Sequence, residues 1–340
     1  MNIPRTTESR SADYQLRLLT QADAAGVRDL ALRVNGPGYL HKEVFDPVEL
    51  LRLNTTKEVI TAVALDRNDR VVGQYALMRP GLAEIAETGQ AMVLTEHRGH
   101  GLIQRLRALL EDEAGRLNLL GLRGQPVTHH VLTQKVYEQF GCRTTGLQLG
   151  LCPASAFNLG DTLSQRVSLL TNFKYLRQPD AAKLYISEHH QDIVRRIFEQ
   201  LGRTIELLTP RPSNGLGQVR VAIQPAFQLG AITVLTVGDN SAAQVTQALH
   251  QLLEQGALAV FLELPCADAG SPELCVRSEA EGLFFSGISP GGSGTADLLI
   301  LEFLAAPLDE SLVRILSPFA QEIKTYVASE RRRVGREVGP

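Results

Sequence analysis

The chain of 340 residues is long enough for two domains with cores of ordinary size. Its formal net charge of -3 lacks the basic bias of nucleic-acid-binding proteins, so we expect no nucleic-acid partner. The N-terminal residues are polar, and no apolar run approaches the roughly 18–20 residues that span a bilayer. The cysteines stand singly, without the spacing of metal ligands. These features predict a soluble, cytoplasmic protein with reduced thiols, no membrane partner and no metal.

The first predicted elements alternate between strand and helix. A lead over residues 1–12 is expected to be disordered, and a strand follows it. Asp23 precedes a short helix, and a second helix begins with Asp46 as its N-cap and Pro47 at its first position. Two strands joined by a hairpin come next, and a further strand ends at Leu94. The pattern is typical of a mixed sheet with helices packed on it.

The rest of the first domain continues this alternation. Leucines at helical spacing predict a helix over 102–117, and 124–131 is a candidate strand. A helix over 132–140 and a strand over 144–151 close the unit. The order β-α-α-β-β-β-α-β-α-β predicts an α/β domain at 13–152, with a mixed sheet and helices on both faces.

The second half of the chain repeats part of this order. Residues 153–217 are predicted to be an irregular connecting segment that contains one helix. From residue 218 the pattern is strand, strand, helix, strand, helix, strand, strand, and a last helix runs from Asp309 to about residue 332. This succession matches the back half of the first domain, so we interpret 218–333 as a diverged internal duplication.

One glycine-containing turn has the chemistry of an anion site. Residues 98–101, Arg-Gly-His-Gly, lie between the strand that ends at Leu94 and the helix that begins near Leu102. The first backbone N–H groups of a helix have no partner within it, and the positive end of the helix dipole lies there as well. Glycine lets a ligand approach the backbone closely. The turn lacks the lysine of the P-loop and the third glycine of the dinucleotide motif.

Two motifs share their spacing with a known superfamily. The first is V-x-x-x-x-R-G-x-G-[IL]-x-x-x-L, and the second is a helix that ends in Y-E-x-x-G-F. The matching residues are Val93, Arg98, Gly99, His100, Gly101, Leu102 and Leu106, followed by Tyr137, Glu138, Phe140 and Gly141, with Cys142 in place of phenylalanine. The stretch 14–151 therefore resembles the GCN5-related N-acetyltransferase (GNAT) superfamily. The resemblance implies an acyl-CoA N-acyltransferase fold with two GNAT-like domains, the second of them degenerate.

The resemblance also implies a reaction and the residues that perform it. Acetyl-CoA would be the co-substrate, held by the backbone at Val93 and Leu94 and by residues 98–102, and the acceptor would be a small-molecule or peptide amine. Tyr137 matches the family's general acid. Glu87 is the first candidate for the base, because it lies on the same strand as Val93 and, by alternation, on the same face. Glu84 and His129 are alternatives.

Plainer interpretations of these residues remain open. Glu87 is also explained as a solvated glutamate at a strand end, and Tyr137 as a tyrosine that packs at a helix end. The pairs His129-His130 and His189-His190 are poorly suited to bind one metal ion, because adjacent side chains of a strand point to opposite faces. The sequence spacing also offers them no third ligand. Glu96, Thr95, Ile103 and His130 depart from the family's usual residues without removing the backbone donors.

The second domain and the activity itself also admit alternatives. Asp239 occupies the turn that corresponds to the glycine loop, and Ser278 occupies the place of Tyr137, so we expect no CoA site there. That domain would line one side of the acceptor cleft, or it would form the interface of a homodimer. A non-catalytic acyl-CoA-binding or regulatory protein is the alternative to an N-acetyltransferase.

Overall fold

The computed structural model describes residues 9–11, 13–157, 163, 165–293 and 296–335. The chain forms two compact units, Met1–Gly124 and Gln125–Pro340. The predicted boundary at residue 152 differs from this division. The reason is that the strand ending at Cys152 pairs with two strands of the second unit.

The first unit is a sheet of six strands with three helices in its described residues. Its strands are β1 (Ser9–Ser11), β2 (Tyr14–Leu18), β3 (Val59–Leu65), β4 (Val71–Met78), β5 (Ile85–Val93) and β6 (Gly121–Gly124). Its helices are α1 (Ala24–Asn35), α2 (Pro47–Thr56) and α3 (Leu102–Arg116). The strands lie in chain order, all antiparallel except the pair β5–β6, which α3 connects as a parallel crossover.

Local chemistry accounts for these elements, and most of them were predicted. The carboxylate of Asp46 accepts hydrogen bonds from the backbone N–H groups of Val48 and Glu49, which caps α2 as expected. Every residue of β3 is buried, so that strand forms the centre of the sheet. Strand β1 lies inside the lead that was predicted to be disordered, and the rest of that lead is outside the described residues.

The second unit contains the remaining elements. Its strands are β7 (Arg143–Cys152), β8 (Val167–Tyr175), β9 (Ala182–Leu184), β10 (Ile205–Leu207), β11 (Gln218–Gln224), β12 (Leu229–Thr236), β13 (Ala259–Pro265), β14 (Phe284–Ser293) and β15 (Ala296–Leu304). Its helices are α4 (Leu132–Gln139), α5 (Gln191–Gln200), α6 (Ser241–Glu254), α7 (Ser271–Ala280) and α8 (Pro318–Gly335). Seven strands form a mixed sheet in the order β8-β7-β14-β15-β13-β12-β11, and β9 and β10 form a separate parallel pair.

Three predicted elements were wrong in place or extent. The candidate strand at 124–131 is instead β6 at Gly121–Gly124, because Pro126 cannot donate to a ladder. Strand β8 was missed inside the segment predicted to be irregular, since it is buried on both faces and shows no alternation. The last helix begins at Pro318, whereas Asp309 caps a short 3-10 turn.

The order of connections recurs along the chain. The antiparallel hairpin β4–β5 is followed by the parallel crossover β5–α3–β6, then by α4 and the antiparallel hairpin β7–β8. The antiparallel hairpin β11–β12 is likewise followed by the crossover β12–α6–β13, then by α7 and the hairpin β14–β15. This recurrence agrees with the predicted duplication. A degenerate GNAT-like second domain stays a prediction.

The helices bury one face each against these sheets. Helix α5, for example, buries Ile193, Val194, Ile197 and Phe198 at helical spacing. Each such side chain stabilises the fold by about 1.5–3 kcal/mol relative to exposure to water. Within the described ranges, no helix combines the length and the apolarity needed to cross a membrane.

Candidate functional site

Two glycines shape the turn between β5 and α3. The φ angles are 84° at Gly99 and 67° at Gly101, values that L side chains rarely adopt. A Cβ on Gly99 would meet nothing within 4 Å, and one on Gly101 would meet only Oε1 of Gln104 at 4.0 Å. Backbone conformation therefore requires both glycines, and the space in front of them is open.

The start of α3 presents a row of backbone donors. Gly101 is the N-cap residue and makes no side-chain capping bond. The N–H of Arg105 donates to the carbonyl oxygen of Gly101 at 3.1 Å. Before it, the N–H groups of residues 99–104 meet no acceptor in the part of the chain that the structure describes. Such a row at a helix N-terminus is suited to phosphate oxygens.

The side chains of this turn contact neighbouring parts of the protein. Arg98 donates from Nε to the carbonyl oxygen of Val93 at 3.3 Å, which ties the turn to the end of β5. The ring of His100 lies 5.5 Å from the ring of Tyr14. Leu102 is buried, so it offers a ligand its backbone N–H and not its side chain. The backbone, with the open N–H groups of residues 99–104, is therefore the candidate binding element of the turn.

Strand β5 contains a β-bulge that alternation along the sequence did not reveal. Gln74 pairs with Met92 and Ala76 pairs with Gly89, so two residues of β5 oppose one residue of β4. Gln90 is one of these two residues, and its φ is 56°. The bulge lies three residues before the end of the strand.

The bulge overturns the predicted geometry of Glu87. Glu87 pairs with Met78, whereas Val93 pairs with Gly73. Positions 73 and 78 lie on opposite faces of β4, because successive side chains alternate. Glu87 and Val93 therefore also lie on opposite faces, since the extra residue of a bulge reverses the alternation.

Glu87 also has a charged partner in the structure. One of its carboxylate oxygens lies 3.6 Å from a guanidinium nitrogen of Arg123. The parallel pairing of β5 with β6 runs from Ile85 and Gly121 to these two residues. No described residue of β6 pairs with β5 beyond them, so this edge of β5 is open.

The two backbone positions predicted to meet the thioester differ. The N–H of Leu94 donates to the carbonyl oxygen of Val72 at 3.0 Å, so that N–H is engaged within the sheet. Backbone groups of successive residues point to opposite edges of a strand. The N–H of Val93 therefore points away from β4, toward the open edge of β5.

Sequence analysis missed a polar group in the loop between α1 and α2. Glu43 Oε1 accepts a hydrogen bond from Nε2 of Gln90 at 2.7 Å and lies 3.2 Å from Nδ1 of His41. These residues join a loop to the β5 bulge across 47 positions of sequence. No spacing rule in the sequence marks such a contact.

The second motif forms the helix end that was predicted, in the second unit. Tyr137 is 8% exposed near the end of α4. Gly141 follows with a φ of 74°, which accounts for glycine at this position. His129, the alternative base, has its pKa lowered by desolvation and by the charges of His130 and Arg314. The catalytic roles of Tyr137 and His129 stay predictions.

The histidine pair at 189–190 does acquire further partners, contrary to the expectation of no third ligand. Ligand atoms of His189, His190 and Glu330 lie within 4.8 Å of one another, and so do those of His190, Cys275 and Glu279. These groups are already paired, however. Arg333 lies 2.7 Å from Glu279 and 2.6 Å from Glu330, so a guanidinium supplies the positive charge. The predicted lack of a metal remains a prediction.

The turn between β12 and α6 corresponds in order to the glycine turn and is filled by the protein itself. The N–H of Gly238 donates to Oγ of Ser241 at 2.9 Å. The N–H of Asp239 donates to the carbonyl oxygen of Gly215 at 2.9 Å. The chain therefore satisfies donors that the first turn leaves open.

No family model and no curated protein matches this chain. Three solved structures similar to it are acetyltransferases. The ribosomal-protein-S5-alanine acetyltransferase from Vibrio fischeri has 16% sequence identity and a TM-score of 0.41, with 49% of this chain and 96% of that chain covered. An N-acetyltransferase from Staphylococcus aureus has 13% identity and a TM-score of 0.40, with 49% and 100% covered. A putative acetyltransferase from Salmonella typhimurium, solved with its cofactor acetyl-CoA, has 16% identity and a TM-score of 0.40, with 49% and 96% covered.

These likenesses each cover about half of this chain. The predicted α/β class with a mixed sheet is confirmed. Nothing in the comparisons bears on a second GNAT-like domain. At this level of similarity, activity has to be argued from the site itself.

Proposed function

We propose that this protein is an acetyl-CoA-dependent N-acetyltransferase. The observation that carries the proposal is the open row of backbone N–H groups at residues 99–104, behind two glycines with positive φ. These donors suit the pyrophosphate of coenzyme A, because several hydrogen bonds to charged oxygens converge there. The helix dipole adds a smaller contribution of about 0.3–1 kcal/mol.

The residues around β5 fit the transfer step. Acetyl-CoA supplies an activated acetyl group. The N–H of Val93, at the open edge of β5, is the proposed donor to the thioester carbonyl oxygen. The acceptor R–NH3+ first loses one proton, which costs about 4–5 kcal/mol at pH 7 for a lysine-like amine. The nitrogen then bonds to the carbonyl carbon, and the C–S bond breaks with its electron pair on sulfur. The sulfur takes the second proton, which leaves R–NH–CO–CH3, the thiol of CoA and one H+.

The proton carriers are proposed from the sequence. Tyr137 is the proposed acid that protonates the leaving sulfur, and Glu87 or His129 is the proposed base. Glu87 is the weaker of these assignments, since it is paired with Arg123 and faces away from the side chain of Val93. That observation favours the alternative function, a non-catalytic acyl-CoA-binding or regulatory protein. Both functions require the same CoA turn.

The binding test compares two glycines, Gly99 and Gly81, that share a positive φ angle. Gly81 also has positive φ, at 63°, and a Cβ there meets nothing within 4 Å. We expect Gly99→Glu to weaken acetyl-CoA binding, measured by calorimetry, by about 100-fold or more, because a carboxylate would oppose the pyrophosphate. Gly81→Glu should bind as the wild type does. Normal binding by Gly99→Glu would overturn both candidate functions.

The turnover test separates the two functions. Thiol release from acetyl-CoA is measured with a panel of amines for the wild type and for Tyr137→Phe. An enzyme should release thiol with at least one amine, and Tyr137→Phe should slow that release by about 100-fold. Normal CoA binding without thiol release from any amine would favour the binding protein.

A further inference from the structure

The loop between α1 and α2 holds a carboxylate against the β5 bulge. Glu43 is bound to the side chain of Gln90, which is 4% exposed and carries the positive φ of the bulge. His41 approaches the same carboxylate oxygen from the loop. Glu43 itself is only partly covered, with 24% of its side chain exposed. The carboxylate is therefore fixed in position and still accessible.

No lysine or arginine in the described ranges pairs with this carboxylate. Its ion-pair partner is His41, which carries charge only when protonated. The neighbouring Lys42 binds the carbonyl oxygen of Pro37 at 3.1 Å instead. Burial alone would raise the pKa of Glu43, but hydrogen bonds from His41, from its own backbone N–H and from Gln90 outweigh burial and hold that pKa below its usual range. Glu43 is thus ionised at neutral pH without a permanent cationic partner.

A buried acceptor in the same group also lacks a donor. Gln74 is fully buried, and its Nε2 lies 3.4 Å from the carbonyl oxygen of Gln90. Its Oε1 receives no hydrogen bond from any described residue. Buried polar atoms of this kind are normally satisfied, so this oxygen is an unmet acceptor beside Gln90.

The ring of Tyr39 lies 5.3 Å from the ring of His41 in the same loop. Burial, and then the charge of Glu43, raise the pKa of Tyr39 well above its usual value. The group therefore combines an ionised carboxylate with an unsatisfied amide oxygen. An alkylammonium ion complements it, because such an ion supplies a positive charge and up to three N–H donors.

We propose that Glu43 binds the ammonium group of the acceptor, so that the acceptors of this protein are cationic alkylamines. The inference rests on the proposed function, since only an acyltransferase has an acceptor. It names a substrate class that the glycine turn does not determine. Glu43 binds and orients the amine, and the protons follow the route given above.

The experiment uses a charged probe and a neutral probe of the same size. Binding of butylamine and of butanol at pH 7 is measured by saturation-transfer NMR, with and without CoA. We expect the wild type to prefer butylammonium, and Glu43→Gln to bind it about 10- to 100-fold more weakly, as for the loss of a charge-assisted hydrogen bond. Binding of butanol should not change. Glu49→Gln is the matched control, because Glu49 is a carboxylate on α2 already paired with Arg52 at 2.7 Å.

Two results would overturn this inference: a wild type that does not distinguish the two probes, or a Glu43→Gln variant that keeps the preference. CoA titration of the same samples separates the two proposals. Normal CoA affinity in Glu43→Gln shows that the fold and the glycine turn are intact. If the wild type fails to bind CoA, the proposed function fails, whereas the inference on Glu43 is decided by the amine titration without CoA.

Discussion

Two strand-to-helix turns hold corresponding places in two β-α-β crossovers, and they treat their backbone donors in opposite ways. The turn between β5 and α3 leaves the N–H groups of residues 99–104 open, and its glycines face open space. The turn between β12 and α6 binds its own donors through Ser241 and Gly215. A Cβ on Gly238 would overlap the backbone nitrogen of Gly217. The first turn has open donors and open space, and the second is filled by the chain itself.

The sequence predicted an electrostatic reason for the absence of a CoA site at the second turn. The difference between the turns adds a steric reason. Asp239 was predicted to oppose a pyrophosphate, and a cleft of about 290 Å³ beside the turn is lined by Asp239 together with Glu273 and Arg277. The chain at Gly217 also occupies the turn, where its N–H donates to Oδ1 of Asn240 at 2.7 Å. The second turn therefore differs from the first both in its negative charge and in the backbone that packs into it.

The largest effect that we predict concerns a buried glutamate in the second unit and the pH dependence of the protein's stability. Glu302 on β15 is fully buried, and burial raises its pKa to about 8 although Leu149 and Ser286 donate hydrogen bonds to it. A raised pKa means that the folded state holds the proton more tightly than the unfolded state. The stability gained is complete below about pH 4.5 and is lost as pH rises through about 8.

Glu302→Gln mimics the protonated acid and should remove this dependence. In urea titrations, the stability of the variant relative to the wild type should rise with pH, by up to about 1.4 kcal/mol per unit between pH 5 and pH 8. The two proteins should be most alike at pH 5. A difference that does not vary with pH would show that Glu302 does not titrate in this range.

The second prediction exchanges one glycine in each turn for alanine. Gly238→Ala forces backbone atoms apart, so we expect the free energy of unfolding to fall by about 2–3 kcal/mol while acetyl-CoA affinity stays unchanged. Gly99→Ala meets no atom, and the strain of its positive φ should cost about 1 kcal/mol. Its effect should instead appear in acetyl-CoA affinity. Equal losses of stability, or normal CoA binding by Gly99→Ala, would contradict the comparison of the turns.

The third prediction removes one internal acceptor from the filled turn. Ser241→Ala leaves the buried N–H of Gly238 without its partner, which should lower the free energy of unfolding by about 1–2 kcal/mol. Ser329→Ala, an exposed serine on α8 that bonds to the carbonyl oxygen of Tyr326, should have little effect. CoA binding should be unchanged in both variants. If Ser241→Ala created a second CoA site, the segment at Gly217 would not be what excludes the ligand.

The parts of the molecule that could be predicted from sequence are those fixed by local chemistry. The cap at Asp46, the glycines at 99 and 101 and the stop at Gly141 are local requirements of the backbone, and all three were confirmed. The bulge at Gln90 was not predictable, because alternation assumes that no residue is inserted.

Long-range contacts account for the rest of what was missed. The bond from Gln90 to Glu43 and the bond from Asp239 to Gly215 both join segments far apart in the chain. No pattern within either segment announces its partner. Sequence therefore located the turn with open backbone donors, but it did not reveal the contact between Glu43 and the bulge or the packing that fills the other turn.

The smallest predicted effect concerns the one acidic residue of the open turn. Glu96 is 49% exposed and lies 2.9 Å from Arg33. Its backbone N–H, and then Arg33, hold the pKa of Glu96 below its usual range, so it is ionised throughout neutral pH. Because its charge lies close to the proposed pyrophosphate site, Glu96→Gln should tighten acetyl-CoA binding about twofold at low salt. Arg33→Gln should weaken binding to a similar extent, since it leaves the carboxylate uncompensated. Both changes should disappear at 0.5 M salt, where the Debye length is only about 4 Å. Calorimetry at two salt concentrations would check this, and a salt-independent effect would mean that these side chains act through the shape of the turn.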